Sequence, residues 1–135
     1  MTTAPLDEKE AAMSPRGPEE PDRTDTLQVH VDALGVGRCL LTAVGSLDLH
    51  TAPKFSDALQ PLLRDGNQSV LVDLSEIAFI DSTGLTSLIA AYRTTRATGA
   101  RLALIAPSER VRRMLAVTGT DQVLPSYATV NAVPD

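Results

Sequence analysis

Hydrophobic and polar side chains begin to alternate at Thr26. Leu27, Val29 and Val31 fall on one side and Gln28, His30 and Asp32 on the other, the period of two that a half-buried strand requires. Leu34-Gly35-Val36-Gly37 supplies turn chemistry, and Arg38 to Val44 reads as a second strand, so the pair predicts an antiparallel hairpin. Thr51 is placed to cap a helix with Pro53 in its first turn, and Phe55, Ala58, Leu59, Leu62 and Leu63 follow at helical spacing. Pro61 removes one internal hydrogen bond, which predicts a kink or shortening around Asp57 to Pro61 before Asp65-Gly66-Asn67 closes the element.

Val70 to Leu74 is an apolar run too short for a helix and suited to a buried central strand, with a loop expected from Ser75 to Ile80. Leu85, Leu88, Ile89 and Tyr92, at i, i+3, i+4 and i+7, mark the clearest helix, which Gly99 ends. Arg101 to Ala106 reads as another buried strand. Pro107-Ser108-Glu109 opens a helix with Val111, Met114, Leu115 and Thr118 inward and Gly119 as terminator. Val123-Leu124-Pro125 is expected to be a last short strand, followed by a helix from Ser126 to Val133. The fold class predicted is α/β, an α+β sandwich: a mixed sheet of about four to five strands, opened by the hairpin and packed with about four helices.

Length and charge refine this picture. The chain has 135 residues, the size of one domain, and its only aromatic side chains are Phe55, Phe79, Tyr92 and Tyr127, so the core must be aliphatic. Residues 1–25 hold seven acids against three bases, with four prolines and almost no large apolar side chain. They read as a disordered acidic arm, solubilising or regulatory, with the folded domain over 26–135. That domain holds ten acids and nine bases, so it attracts no polyanion strongly, and Arg110, Arg112 and Arg113 read as the solvated face of a short helix rather than a nucleic-acid site. The single Cys39 forms no internal disulfide and falls short of a Cys-rich metal site, which suits a reducing cytoplasm. No apolar run suggests a targeting segment or a membrane span.

The chain lacks a coherent catalytic set. His30 and His50 are the only imidazoles, and there is no glycine-rich phosphate loop and no His or Cys pair at metal-ligand spacing, so no enzyme, metal or cofactor is expected. An Asp before Ser/Thr and Gly is also the signature of aspartic proteases, but Thr83 intervenes before Gly84. The residues that follow read as helix, whereas that chemistry needs paired carboxylates in an all-β fold. The informative feature is a hydroxyl pair at a helix start. Asp81 is a good N-cap, which places Ser82 and Thr83 in the first turn, where unpartnered N–H groups and the helix dipole tolerate a phosphate. At about 100° per residue, Thr86, Ala90, Arg93 and Ala97 share the Ser82 side, a face of small and polar groups that admits another protein closely.

These residues resemble the STAS domains, and within them the bacterial anti-sigma factor antagonists. The resemblance spans roughly residues 27–133 and rests on three stretches. They are Gly45-Ser46-Leu47-Asp48; Leu71-Val72-Asp73-Leu74-Ser75 with Ile80-Asp81-Ser82-Thr83-Gly84-Leu85; and Ser108 to Leu115 followed by Thr118-Gly119. It implies that Ser82 is phosphorylated by a kinase-type anti-sigma factor, with Thr83 a candidate second acceptor, and that a PP2C-type phosphatase removes the phosphate. It implies that the loop before the first helix, with Ser46, Asp48, His50 and Thr51, belongs to a partner surface, which the helix start (Asp81, Ser82, Thr83 and Gly84) and the Ser82-side residues Thr86 and Arg93 extend. Ser46 departs from the family, which often has Glu there. The unmodified protein would displace the sigma factor, and phosphorylation would block docking. Other STAS modules serve as scaffolds in stress-sensing assemblies or as subunits of lipid-transport complexes, which is the competing reading. A weak homodimer is left open.

Overall fold

A computed structural model describes residues 26–134, so the reading of residues 1–25 as a disordered arm lies outside the described residues. Five strands form one mixed sheet in the order β1-β2-β3-β4-β5: β1 Leu27–Gly35, β2 Arg38–Leu47, β3 Ser69–Ile80, β4 Arg101–Ile105 and β5 Ser126–Tyr127. The hairpin pair is antiparallel, and β2 to β5 run parallel. Helices α1 Ala52–Arg64, α2 Ser82–Thr98 and α3 Glu109–Thr118 follow β2, β3 and β4.

The sheet is covered on both sides, which is why Val70, Leu71 and Val72 are all buried with no polar alternate. Leu41, Ala43, Leu47, Val70, Val72 and Leu104 meet Phe55 and Leu59 of α1, Leu85 and Leu88 of α2, and Val111 and Leu115 of α3 in one aliphatic core. On the opposite face Leu71, Ala103 and Ile105 lie beneath Tyr127, Val130 and Val133. The outer part of that face, over β1 and β2, is more open.

Several expectations are corrected. Helix α1 runs from Ala52 to Arg64 and so is not shortened at Pro61, which lies with Asp57 among its exposed residues, away from the buried stripe where a lost hydrogen bond would cost most. The segment from Ser75 to Ile80 is strand, not loop. Relative to β2, β3 carries one extra residue between Asp73 and Glu76 and another between Ile77 and Phe79. These bulges bury Leu74, Ile77 and Ile80 at a spacing of three, which hides the strand from a period-two reading. Where β4 has ended, Ser108 takes over the free edge: its N–H donates to Leu74 O (3.1 Å) and its Oγ to Ile77 O (2.8 Å). Val123 to Pro125 is not a strand; the fifth strand is Ser126–Tyr127, and the expected last helix reduces to a 3-10 turn over Val130–Ala132. The α-helices number three rather than four. Val31 and Thr118, expected inward, are exposed.

Cys39 is buried in β2, and burial pushes its thiol above the ordinary value. The native state therefore keeps a proton that the unfolded chain releases. Stability from this group is complete below the unfolded thiol's pKa and is lost as pH rises through the folded value. Denaturant midpoints should thus fall more steeply on the alkaline side in the wild type than in Cys39→Ala, and a thiol reagent should label native protein only at the rate of unfolding. Equal alkaline slopes, or fast native labelling, would contradict the burial argument.

Candidate functional site

The end of β3 delivers Asp81 in an extended conformation, and α2 starts at the next residue. The Asp81 carboxylate accepts two backbone N–H groups: Oδ1 takes that of Gly84 (2.9 Å) and Oδ2 that of Leu49 (3.2 Å), which lies in the loop between β2 and α1. Its carbonyl accepts the Leu85 N–H (3.0 Å), and its own N–H donates to Leu47 O (3.3 Å). One acidic residue therefore caps a helix and fastens a second loop to it. Gly84 makes this proximity feasible, since a Cβ there would overlap the Leu47 carbonyl oxygen. Its absence lets the first turn of α2 lie directly on the end of β2.

The loop beside it is built by Asp48, whose Oδ1 accepts the N–H groups of His50 (2.9 Å) and Thr51 (3.1 Å). Thr51 stands at the N-cap position of α1 but does not cap it with its side chain. Its Oγ instead donates to Ser46 O (2.7 Å) and accepts the Asp48 N–H (2.9 Å), closing the loop on itself. Asp48 and Thr51 are buried, so they shape the surface and do not form it.

The structure thus divides the residues singled out from the sequence. Ser46, Asp48, Thr51 and Gly84 are buried; Asp81 and Thr83 are half-buried; His50, Ser82, Thr86 and Arg93 are exposed. Ser82 and Thr86 share a face, with Thr86 Oγ donating to Ser82 O (2.8 Å). Arg93 lies eleven residues further along α2, about 16 Å down the axis, and marks the far end of that face. Ser82 Oγ makes no hydrogen bond to any described residue, and the first-turn N–H groups of Ser82 and Thr83 lack intrahelical partners. Among the described residues no group of three His, Cys, Asp or Glu side chains is placed to hold a metal ion. Leu49 was missed by sequence reasoning: it is 64% exposed, yet its N–H is pinned to Asp81. An isolated Leu between Asp48 and His50 in a polar loop was the available signal.

Residues 28–133 match the STAS domain, and the chain belongs to that family. The anti-sigma-B factor antagonist of Staphylococcus aureus is 28% identical over 80 residues, covering 59% of this chain and 74% of that protein. The crystal structure of an anti-sigma factor antagonist from Mycobacterium paratuberculosis aligns with a TM-score of 0.71 at 27% identity, over 79% of this chain and 90% of the other. The phosphorylated form of the Bacillus cell fate determinant SpoIIAA shares the fold, with a TM-score of 0.63 at 17% identity over 78% and 96% of the two chains. No helix among the described residues is long and apolar enough to cross a membrane.

The dual role of Asp81 predicts a graded series in urea unfolding. Asn retains one acceptor oxygen, so Asp81→Asn should keep the cap, lose the Leu49 bond and cost about 1 kcal/mol, whereas a capping role alone predicts almost nothing. Asp81→Ala should cost about 2–3 kcal/mol. Gly84→Ala should cost at least about 3 kcal/mol because backbone must move. A silent Asp81→Asn would show that the Leu49 bond contributes nothing.

Proposed function

We propose that this protein is an anti-sigma factor antagonist switched by phosphorylation of Ser82. Unmodified, it docks the exposed face of α2 and the adjoining Leu49–His50 loop onto a kinase-type anti-sigma factor, displacing the sigma factor. The kinase then transfers the γ-phosphoryl group of ATP to Ser82 Oγ, which gives up its proton. A PP2C-type phosphatase hydrolyses the phosphoserine and restores binding. ATP and the divalent metal belong to the kinase, and the antagonist itself acts as substrate and binding module in the bacterial cytoplasm.

The observation that carries this reading is the division of labour at the start of α2. Asp81 satisfies the helix end, so the exposed Ser82 hydroxyl is left for chemistry. Thr83, one residue on, is half-buried and presents a poorer acceptor. A phosphoserine adds about −1.5 to −2 charges at pH 7. In the free protein that charge meets the first-turn N–H groups and the positive end of the helix dipole. In a complex it would sit inside a close-packed contact beside the exposed Leu49, where desolvating it is costly. The switch therefore needs no refolding. The relatedness to anti-sigma factor antagonists supports the same conclusion.

Calorimetric titration against the cognate anti-sigma kinase tests this. Ser82→Ala should bind as wild type and take up no phosphate, and Ser82→Asp should bind at least about tenfold more weakly. Leu49→Ala should weaken binding by about tenfold with an unchanged unfolding midpoint, as expected of an exposed apolar anchor. Phosphate incorporation at another residue of Ser82→Ala, or wild-type affinity in Ser82→Asp, would overturn the assignment.

A further inference from the structure

Strand β1 is an edge of the sheet, and two contacts fix which way its backbone groups point. The Ser46 N–H donates to Thr26 O (2.9 Å), and Leu27 opposes Gly45, so the even-numbered residues of β1 turn their N–H and C=O groups toward β2. The odd-numbered residues turn theirs outward. Leu27 agrees with this phase, since its carbonyl accepts Lys54 Nζ (2.7 Å) instead of a β2 amide. Lys54 thereby closes the edge at Leu27, and the register shift between Ala33 and Gly35 ends it at the hairpin tip. Between these limits the outward N–H and C=O groups of Val29, Val31 and Ala33 have no ladder partner among the described residues. Val31, at the centre of this window, is 41% exposed.

We propose that this edge joins a second copy of the chain in an antiparallel β1–β1 ladder centred on Val31, which continues the sheet across a two-fold axis. Backbone and side chains select that register independently. On the backbone, Val31 meets Val31 of the second copy as a hydrogen-bonded pair and Val29 meets Ala33, so the ladder uses the whole free window and stops short of Lys54 and the tip. On the open face, His30 then stands opposite Asp32 of the second copy, and Asp32 opposite its His30, with Cα atoms about 4.5 Å apart. Within one chain His30 Nε2 and Asp32 Oδ1 lie 3.1 Å apart and both side chains are exposed, which leaves Nδ1 and Oδ2 to face the other copy. Neighbouring registers lose this complementarity. Centring the pair on His30 sets two imidazoles against each other, and centring it on Asp32 sets two carboxylates together. On the helix side Val29, packed at the margin of the main core, and Val31 meet Ala33 and Val31 of the second copy, so the apolar layer lengthens. Val31 opposes Leu41, six residues and about 20 Å along β2 from Leu47. The Ser82 surface therefore stays open in both copies, and the proposal does not rest on the phosphorylation switch.

Sedimentation equilibrium of the full chain, paired with amide hydrogen exchange followed by NMR, tests this. A monomer–dimer equilibrium in the high micromolar range is expected, because so short a ladder is a small interface. Exchange at Val29, Val31 and Ala33 should slow as concentration rises, while Gln28, His30 and Asp32, already bonded to β2, should change little. His30→Asp sets carboxylate opposite carboxylate and should weaken dimerisation about tenfold. The double variant His30→Asp/Asp32→His restores opposite partners and should recover wild-type association to within about threefold, a rescue that a merely disturbed strand would not give. Val31→Lys should weaken association at least about tenfold with an unchanged unfolding midpoint, since the side chain is exposed. A chain that stays monomeric at about 1 mM, a dimer indifferent to Val31→Lys, or a double variant as weak as His30→Asp would overturn the proposal. So would concentration-independent protection of the three outward amides in a monomer, which would assign the edge to another segment of the same chain, such as residues 1–25.

Discussion

The placement of the candidate site depends on how closely α2 approaches the end of β2. Gly84 has no side chain to hold the helix away from the Leu47 carbonyl, and Asp81 fills the polar gap that remains with two N–H groups from different parts of the chain. Removing either feature would separate the helix start from the β2–α1 loop. The two exposed groups that flank this seam, Leu49 and Ser82, would then no longer share one surface. The geometry is set by backbone groups and one carboxylate, so it is indifferent to the exposed side chains mounted on it. Partner specificity can therefore change without disturbing the fold.

This arrangement also explains why a phosphorylatable hydroxyl suits this position. Ser residues at helix starts commonly spend their hydroxyl on capping. Here Asp81 performs that function one residue earlier, and Thr86 back-bonds to the Ser82 carbonyl, which leaves the Ser82 Oγ uncommitted. Adding a phosphate would therefore break no bond within the free protein and would place charge where helix-end N–H groups face outward. The energetic consequence of such a modification would fall on a complex rather than on folding.

Much of this was legible in the sequence, and the limits have physical causes. The hairpin, the apolar stripe of α2 and the Asp81 cap were visible because each depends on residues within a few positions. The outer half of β3 was not, because its bulges convert a two-residue alternation into buried positions three apart, and its free edge is satisfied by Ser108, thirty-one residues beyond Ile77. Pro61 does not shorten α1, because it falls on the exposed side of the helix, a placement that depends on how the helix packs and not on the proline itself. The Asp81–Leu49 bond spans 32 residues and leaves no local trace. The STAS resemblance supplied the surface residues as a set, but it did not separate Asp48 and Thr51, which fold the loop, from His50 and Ser82, which reach solvent.

The bulges that hid β3 also shape the open face of the sheet. Between them they bring Glu76 and Ala78 to the open face while Ile77 returns to the core, so a carboxylate stands level with Gln28 and Val44. Gly45 adds to this. Its φ of +124° and the position of the Thr26 carbonyl leave no room for a Cβ, so β1 and β2 close tightly just before Ser46. Ser46 thereby sits at the junction of two constructions: its carbonyl accepts from Thr51 in the loop beside Ser82, while its hydroxyl is buried behind the tight closure of β1 on β2 with no hydrogen-bond partner among the described residues.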